Sequence, residues 1–154
     1  MNFKYLALIT CIVINSYANS SEIDGAFGLK FGDTYKVIPE FREGNNSSMF
    51  YPKNKLPGMT DDRTYYSVSY SPLSKRIWQI HVGGESENCE VKYDLERIFE
   101  KKYGKPTRDT AEETRYKVGG NAVWMKCEYF SWANSARFDL IYTSYKYYDI
   151  TEMK

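Results

Sequence analysis

His81 is the side chain best suited to acid–base chemistry, and it is the only histidine in a sequence of 154 residues. A single imidazole excludes any metal cluster built on several histidines. Acyl transfer would need an activated serine beside His81, and the sequence has no Gly-x-Ser-x-Gly turn to present one. His81 lies on the less apolar face of a predicted strand, so we predict that it is an exposed polar side chain.

Two adjacent carboxylate pairs, Asp61-Asp62 and Glu112-Glu113, are the other candidates for acid–base chemistry. A glycosidase needs two carboxyl groups that face each other across a cleft, which neighbours in sequence do not provide. Neither pair has the alternating oxygen ligands of a calcium loop, so we expect solvated loop charges. We therefore predict no catalytic residue, no metal site and no cofactor, and the chain is more consistent with a non-enzymatic protein.

Residues 1–18 have the composition of an export signal rather than of a folded segment. The apolar run Leu6–Ile14 follows a lysine and is short for a membrane span, and small residues precede a cleavage site after Ala18. We predict a signal peptide over residues 1–18, one domain over residues 19–154, and no membrane span after cleavage. Two alternatives stay open: lipid attachment at Cys11, and retention of the apolar run as an anchor.

Cleavage after Ala18 would change the charge of the chain. It takes one lysine from the 21 basic residues, which leaves them equal in number to the 20 acidic ones. A neutral domain lacks the electrostatic footprint of a nucleic-acid-binding protein, so we predict no nucleic-acid partner.

The segment Cys89–Pro106 predicts one amphipathic helix. Its apolar stripe at helical spacing consists of Val91, Leu95, Ile98 and Phe99. Asn88 is a suitable N-cap, Gly104 can take the left-handed conformation after the last turn, and Pro106 blocks continuation. We interpret the lysines at positions 101, 102 and 105 as charges that complement the helix dipole, with a patch for an anionic partner as the alternative.

Alternating apolar side chains predict strands on both sides of this helix. The predicted strands are Gly25–Asp33, Met49–Lys53, Arg63–Ser71, Lys75–Gly83, Arg115–Val118, Ala122–Phe130 and Ala136–Tyr145. Gly119-Gly120-Asn121 is a strong hairpin turn. The apolar face of the strand before the helix is predicted to hold Trp78, Ile80 and Val82, with Ile77 opposite. The sequence therefore predicts an α+β domain, in which an antiparallel sheet of about six or seven strands has one main helix packed on one face.

The two cysteines left after cleavage, Cys89 and Cys127, most simply pair with each other in an oxidising compartment. Cys127 shares its predicted face with Val123, Met125 and Tyr129, so it points toward the core, where the start of a packed helix can reach it. The pair lacks the Cys-x-x-Cys spacing of a redox site. We therefore predict one structural disulfide.

Aromatic residues outside the predicted apolar stripes are the remaining signal for binding. They are Tyr65, Trp132, Tyr145, Tyr147 and Tyr148. Exposed rings stack on sugars and anchor protein interfaces, which makes these five the candidate binding residues. The alternative is a second, partly covered face, or a tail that folds back onto the domain.

The order of segments resembles families of small exported bacterial proteins that have no assigned activity. The resemblance is carried by GAFGLKFGD, YYSVSYSP, RIWQIHV, CEVKYDLERIFEKKYGKP, VWMKCEYF and RFDLIYTSY. In these families a cysteine precedes a helix that ends in Tyr-Gly-x-Pro, and a second cysteine lies in a downstream strand. The resemblance implies a bacterial periplasmic or secreted location and assigns no catalytic residue.

These observations favour a non-enzymatic binding or inhibitor-like protein of the bacterial envelope, whose partner is an envelope protein or a glycan. Two other functions remain open. One is an envelope hydrolase that acts on peptidoglycan or glycans through carboxylates brought together by folding. The other is a structural component of the envelope.

Overall fold

A computed structural model describes residues 22–34, 36, 47–49 and 63–148 of the chain. The predicted signal peptide, Cys11, the carboxylate pair Asp61-Asp62 and most of the predicted strand Met49–Lys53 lie outside these residues. The fold is therefore argued from the hairpin near residue 25 and from the continuous segment 63–148.

Nine strands and one helix make up the described part of the fold, in an α+β arrangement that confirms the predicted class. The strands are β1 (Gly25–Ala26), β2 (Leu29–Lys30), β3 (Ser47–Met49), β4 (Thr64–Tyr70), β5 (Ile77–Ser86), β6 (Arg108–Asp109), β7 (Glu113–Val118), β8 (Asn121–Phe130) and β9 (Ser135–Ser144). The helix α1 spans Glu90–Tyr103. Seven strands form one antiparallel sheet in the order β3-β4-β5-β9-β8-β7-β6, while β1 and β2 pair only with each other.

The core lies between one face of this sheet and a layer formed by α1 and the β1–β2 hairpin. Tyr142 of β9 shows how the layers meet, since its ring contacts Phe27 of the hairpin at 6.1 Å and Phe99 of α1 at 6.2 Å. The fully buried sheet residues of this face include Val82, Leu140 and Met125, which lie side by side on three adjacent strands. Both covering elements therefore lie on the same side of the sheet.

The helix follows its predicted pattern with three differences. Val91, Leu95 and Phe99 are buried as predicted, but Ile98 is 56% exposed and Lys92 is only 1% exposed. Lys92 Nζ donates to Glu96 and to the carbonyl of Thr110, and these hydrogen bonds compensate for burial of its charge. Cys89 occupies the N-cap position one residue after the predicted Asn88, although Asn88 Oδ1 still accepts a hydrogen bond from the amide of Glu90.

A β-bulge changes the faces of β5. Ser69 pairs with Gln79 and Tyr70 pairs with Ile77, so Trp78 is an extra residue without a partner in β4. Because a bulge reverses the alternation, Ile77 is fully buried on the core side while Trp78 is partly exposed. The predicted positions of these two residues were therefore wrong.

Two glycine-containing segments also differ from prediction. Gly25–Asp33 is a tight hairpin rather than one strand, because Phe27 and Gly28 both have positive φ and turn the chain between β1 and β2. Gly83 and Gly84 do not end β5, which continues to Ser86. A Cβ on Gly83 would lie 2.8 Å from Asp139 Oδ1, so the strand needs glycine there for a close approach.

The predicted disulfide is confirmed. Cys89, at the start of α1, is bonded to Cys127 of β8, and the two Cα atoms are 5.8 Å apart. Cys127 is 4% exposed and lies on the core side, as the alternation predicted. Tyr129, two residues further along β8, was placed on the same buried face but is 50% exposed, and its hydroxyl donates to Asn134 Oδ1 in the following turn.

Candidate functional site on the open face of the sheet

The second face of the large sheet carries most of its polar side chains. We call it the open face, because α1 and the β1–β2 hairpin, the covering elements in the described part of the chain, both lie on the other side. Its residues alternate with the core residues along every long strand, so the same periodicity that builds the core also builds this surface. The face is the natural place to look for a site.

Charged side chains form a continuous line across the open face. The backbone pairing places three of them side by side: Asp139 on β9, Lys126 on β8 and Glu113 on β7. Gly83 of β5 lies at the end of this row, next to Asp139. In the next row Arg137 lies between Glu85 and Glu128. Opposite charges that face each other across strands stabilise a sheet by a few tenths of a kcal/mol up to about 1 kcal/mol per pair.

His81 and Asp139 form the central pair of this face. His81 Nε2 lies 2.8 Å from Asp139 Oδ1, and the two side chains are only 22% and 17% exposed. Since an ionised carboxylate only accepts, the ring nitrogen donates. This hydrogen bond, helped by the charges of Arg137 and Lys126, holds the pKa of the Asp139 carboxyl below its usual range. The prediction that His81 is an exposed polar residue was therefore wrong.

Tyr65 completes the cluster around Asp139. Its hydroxyl interacts electrostatically with Asp139 and Arg137, and its ring meets the His81 ring edge-on at a centroid distance of 5.2 Å. Gly83 makes this position possible, because a Cβ there would lie 2.5 Å from Tyr65 Cζ. Burial, followed by the nearby carboxylate, raises the pKa of the Tyr65 hydroxyl. Tyr65, Gly83, His81, Arg137 and Asp139 thus form a pre-organised polar cluster.

A cavity of about 260 Å³ opens beside this cluster. Its lining combines four acidic residues with three basic ones: Arg108, Thr110, Glu112, Glu113, Lys126, Cys127, Glu128, Arg137 and Asp139. The lining is suited to a polar ligand with charges of both signs, since Glu113 lies close to Arg108 and Lys126, and Asp139 lies close to Arg137. Glu112-Glu113, which we predicted to be solvated loop charges, lines this cavity, and Glu113 belongs to β7.

The five candidate aromatic residues do not form one surface. Trp132 is 86% exposed in the turn between β8 and β9, about 30 Å along β9 from the segment that contains the other C-terminal aromatics. Tyr147 packs over Gly32 and against the core, and Tyr148 contacts Trp78 at 4.6 Å. Only Tyr65 and Tyr145 border the charged part of the open face.

Sequence reasoning missed Asp139, Arg115 and Trp124, the residues around which the open face is built. Each of them alternates with core residues on β7, β8 or β9, so periodicity could have assigned all three to one face. It could not have paired His81 with Asp139, because 58 residues separate them in the chain.

Among the described residues, no three His, Cys, Asp or Glu side chains are arranged to hold a metal ion. In the same part of the chain, no helix combines the length and the apolar character needed to cross a membrane.

Comparison with known proteins finds no matching family model, no matching curated protein and no matching solved structure.

Proposed function

We propose that this chain is a non-enzymatic exported protein of the bacterial envelope, which binds an envelope protein or a glycan through the open face of its sheet. The observation that carries this proposal is that, among the described residues, the elements that cover the large sheet all lie on one of its faces. One face is buried under α1 and the hairpin, while the other presents a pre-organised surface of mixed charge and half-buried aromatic rings.

Export is supported by the sequence of residues 1–18 and by the disulfide. Disulfides persist in oxidising compartments and are rare in the bacterial cytosol, so the Cys89–Cys127 bond favours a periplasmic or secreted location. The resemblance to small exported bacterial proteins points the same way.

A binding role is also supported by how the charges are arranged. Asp139 is held ionised by His81 and Arg137, whereas a general acid requires a raised pKa. Charged groups fixed in a defined pattern give specificity toward a partner of complementary pattern. The open face is therefore better suited to recognition than to proton transfer.

The test is a charge swap that preserves composition. Glu128→Arg with Arg137→Glu exchanges two residues that face each other on β8 and β9, and it leaves the net charge unchanged. The matched control is Asp94→Arg with Arg97→Asp, an exposed ion pair on α1. Each protein is incubated with envelope extract from the host, and complexes are identified by native mass spectrometry after a melting curve has confirmed folding.

We expect the open-face swap to lose the wild-type complex and the helix swap to retain it. The opposite result, or a wild-type protein that stays alone across salt and pH, would contradict the proposal. A wild-type protein that associates only with itself, measured by light scattering, would instead support the structural role.

An envelope hydrolase is the second candidate, because one specific observation favours it. The cavity brings four carboxylates together, and Glu113 and Asp139 lie on strands separated by one strand, about 10 Å apart. Release of soluble fragments from peptidoglycan by the wild type, abolished in both Glu113→Gln and Asp139→Asn, would establish this function in place of the binding role.

A further inference from the structure

A column of alternating cations and aromatic rings runs along β7 and β8 on the open face. Its members in spatial order are Lys126, Trp124, Arg115, Tyr145 and Lys117, with successive cation-to-ring distances of 5.6, 4.5, 6.0 and 5.8 Å. Arg115 Nη2 also donates to the Tyr145 hydroxyl. The rings hold three positive charges in fixed positions, because each contact lies within the range of a cation–π interaction.

This cation–aromatic column has a surplus of positive charge. Lys126 has a carboxylate at 4.0 Å, in Glu113, but Arg115 and Lys117 have no acidic partner within the described residues. Arg108 lies directly opposite Arg115 on the neighbouring strand. Arg108 has its own carboxylate, since its Nε lies 3.7 Å from Glu113 Oε1, so the unbalanced positive charge belongs to Arg115 and Lys117.

Two hydrogen-bond donors at the centre of the column have no acceptor. Arg115 Nε and Trp124 Nε1 are buried and lack a hydrogen-bond partner in the described part of the chain. An unsatisfied buried donor costs about 1–3 kcal/mol. Because both atoms are closed to solvent, an anionic ligand can accept a hydrogen bond from Trp124 Nε1 only after the Arg115 guanidinium moves off the indole ring.

The length of the column indicates a ligand with several anionic groups. Lys117 is paired with Ala122, and Lys126 lies four residues further along β8, so the two lysines are about 13 Å apart along the strand. One phosphate or carboxylate cannot contact both ends. The ligand is therefore an extended chain that carries repeated anions.

The same geometry disfavours a nucleic acid as this ligand. Single-stranded nucleic acids stack their bases on free aromatic faces, whereas cations lie over the rings of Trp124 and Tyr145. The acidic residues Glu113 and Glu128 border the column, and the hydroxyl groups of a sugar chain can donate hydrogen bonds to them, which the phosphates of a nucleic acid cannot.

We propose that the cation–aromatic column binds an acidic polysaccharide, through carboxylate, sulfate or phosphate groups on successive sugar units. The proposal rests on the proposed function, since it names the ligand class of the same face.

The experiment measures binding by isothermal titration calorimetry at about 50 mM and about 200 mM salt. Dextran sulfate and polygalacturonate are the probes for sulfate and carboxylate groups, and neutral dextran is the matched control ligand. The test variant is Lys117→Ala/Lys126→Ala. The control variant is Lys101→Ala/Lys105→Ala, which removes the same charge from exposed positions at and beyond the end of α1.

We expect the wild type to bind at least one polyanion with salt-dependent affinity and not to bind dextran. Loss of two cations should weaken binding roughly tenfold, while the helix variant should bind as the wild type does. Binding of only one polyanion supports the proposal and identifies the anionic group.

Trp124→Phe tests the unsatisfied donor separately. It keeps an aromatic ring and removes the N–H group, so a purely structural role predicts a change in thermal stability with no change in affinity. The proposal predicts that affinity for the polyanion also falls several-fold, because a hydrogen bond to a charged acceptor is lost.

Several results would overturn the proposal: no binding of either polyanion at low salt, equal binding of dextran, or equal losses in the Lys117/Lys126 and Lys101/Lys105 variants. If these results appeared while the Glu128/Arg137 swap still abolished a complex from envelope extract, the ligand class would be wrong and the proposed function would stand.

Discussion

Replacing both Cys89 and Cys127 by alanine removes the covalent link between the start of α1 and β8. The bond closes a loop with a sequence separation of 38 residues. In the chain-entropy treatment, opening a loop of this size destabilises the folded state by about 4 kcal/mol, through greater freedom of the unfolded chain. A small additional cost comes from the cavity at Cys127, which is 4% exposed.

A loss of this size is a large share of the stability of a small domain, which is typically about 5–15 kcal/mol. For a domain of this length it corresponds to a fall in melting temperature of roughly 10–20 °C. The assay is urea unfolding monitored by circular dichroism, with the wild type measured in oxidising and reducing buffer. We expect the reduced wild type to match the double variant, and the urea slope to increase because the unfolded chain exposes more surface.

The control is the double variant in reducing buffer, which should show no further change. A loss below about 1 kcal/mol would refute the reasoning, because it would show that packing alone holds α1 on the sheet. An unchanged urea slope with a full loss of stability would place the effect of the bond in the folded state.

Three further predictions concern the polar interior and the open face. Gly83→Ala should cost about 1–3 kcal/mol, because its Cβ would collide with Tyr65 and Asp139; adding Tyr65→Ala should recover part of the loss in a double-mutant cycle measured by urea unfolding. The pKa of Asp139 is lowered by folding, so this carboxylate stabilises the folded state at pH values above its unfolded-state pKa of about 3.9, and the stabilisation disappears as pH falls through the folded-state pKa. In urea unfolding measured at a series of pH values below 5, Asp139→Asn should therefore lose less stability on acidification than the wild type. Glu96→Ala should cost about 3 kcal/mol in thermal unfolding, because it leaves the fully buried Lys92 ammonium without its carboxylate. Lys92→Met should cost only about 1 kcal/mol, because Glu96 is 21% exposed and keeps its hydrogen bond from Thr114. Equal losses in the two variants would contradict this.

Of the elements that local sequence determines, the helix and the disulfide were predicted correctly, whereas the equally local turn at Phe27 and Gly28 was missed and Gly25–Asp33 was predicted as one strand. The helix from Glu90 to Tyr103 follows from its apolar spacing, from Gly104 and from Pro106, all of which act within a few residues. The disulfide followed because Cys127 alternates with buried residues of β8, and alternation is a property of a single strand.

The other wrong predictions concern positions where the structure of one element depends on its neighbour. The alternation of β5 predicted a buried Trp78, but an extra residue opposite Ser69 and Tyr70 reverses the faces at that point. A bulge is a mismatch in length between two strands, so the sequence of one strand does not contain it. Ile98 shows the same limitation for the helix, because the width of its buried stripe is set by the sheet beneath it.

The open face was underestimated because each of its strands looks ordinary when read alone. Lys126 and Glu128 read as the solvent side of β8, and Arg137 and Asp139 as the solvent side of β9. Register converts these separate stripes into one surface, since it places Asp139 between Gly83 and Lys126 and within reach of His81.

Gly83 is the informative residue in this arrangement. A side chain at position 83 would fill the space taken by the Tyr65 ring, and the absence of one in the middle of a ten-residue strand is a sign that another group approaches closely. Glycine in a strand interior weakens the strand, so the position is better explained by the polar cluster that it admits than by the stability of β5.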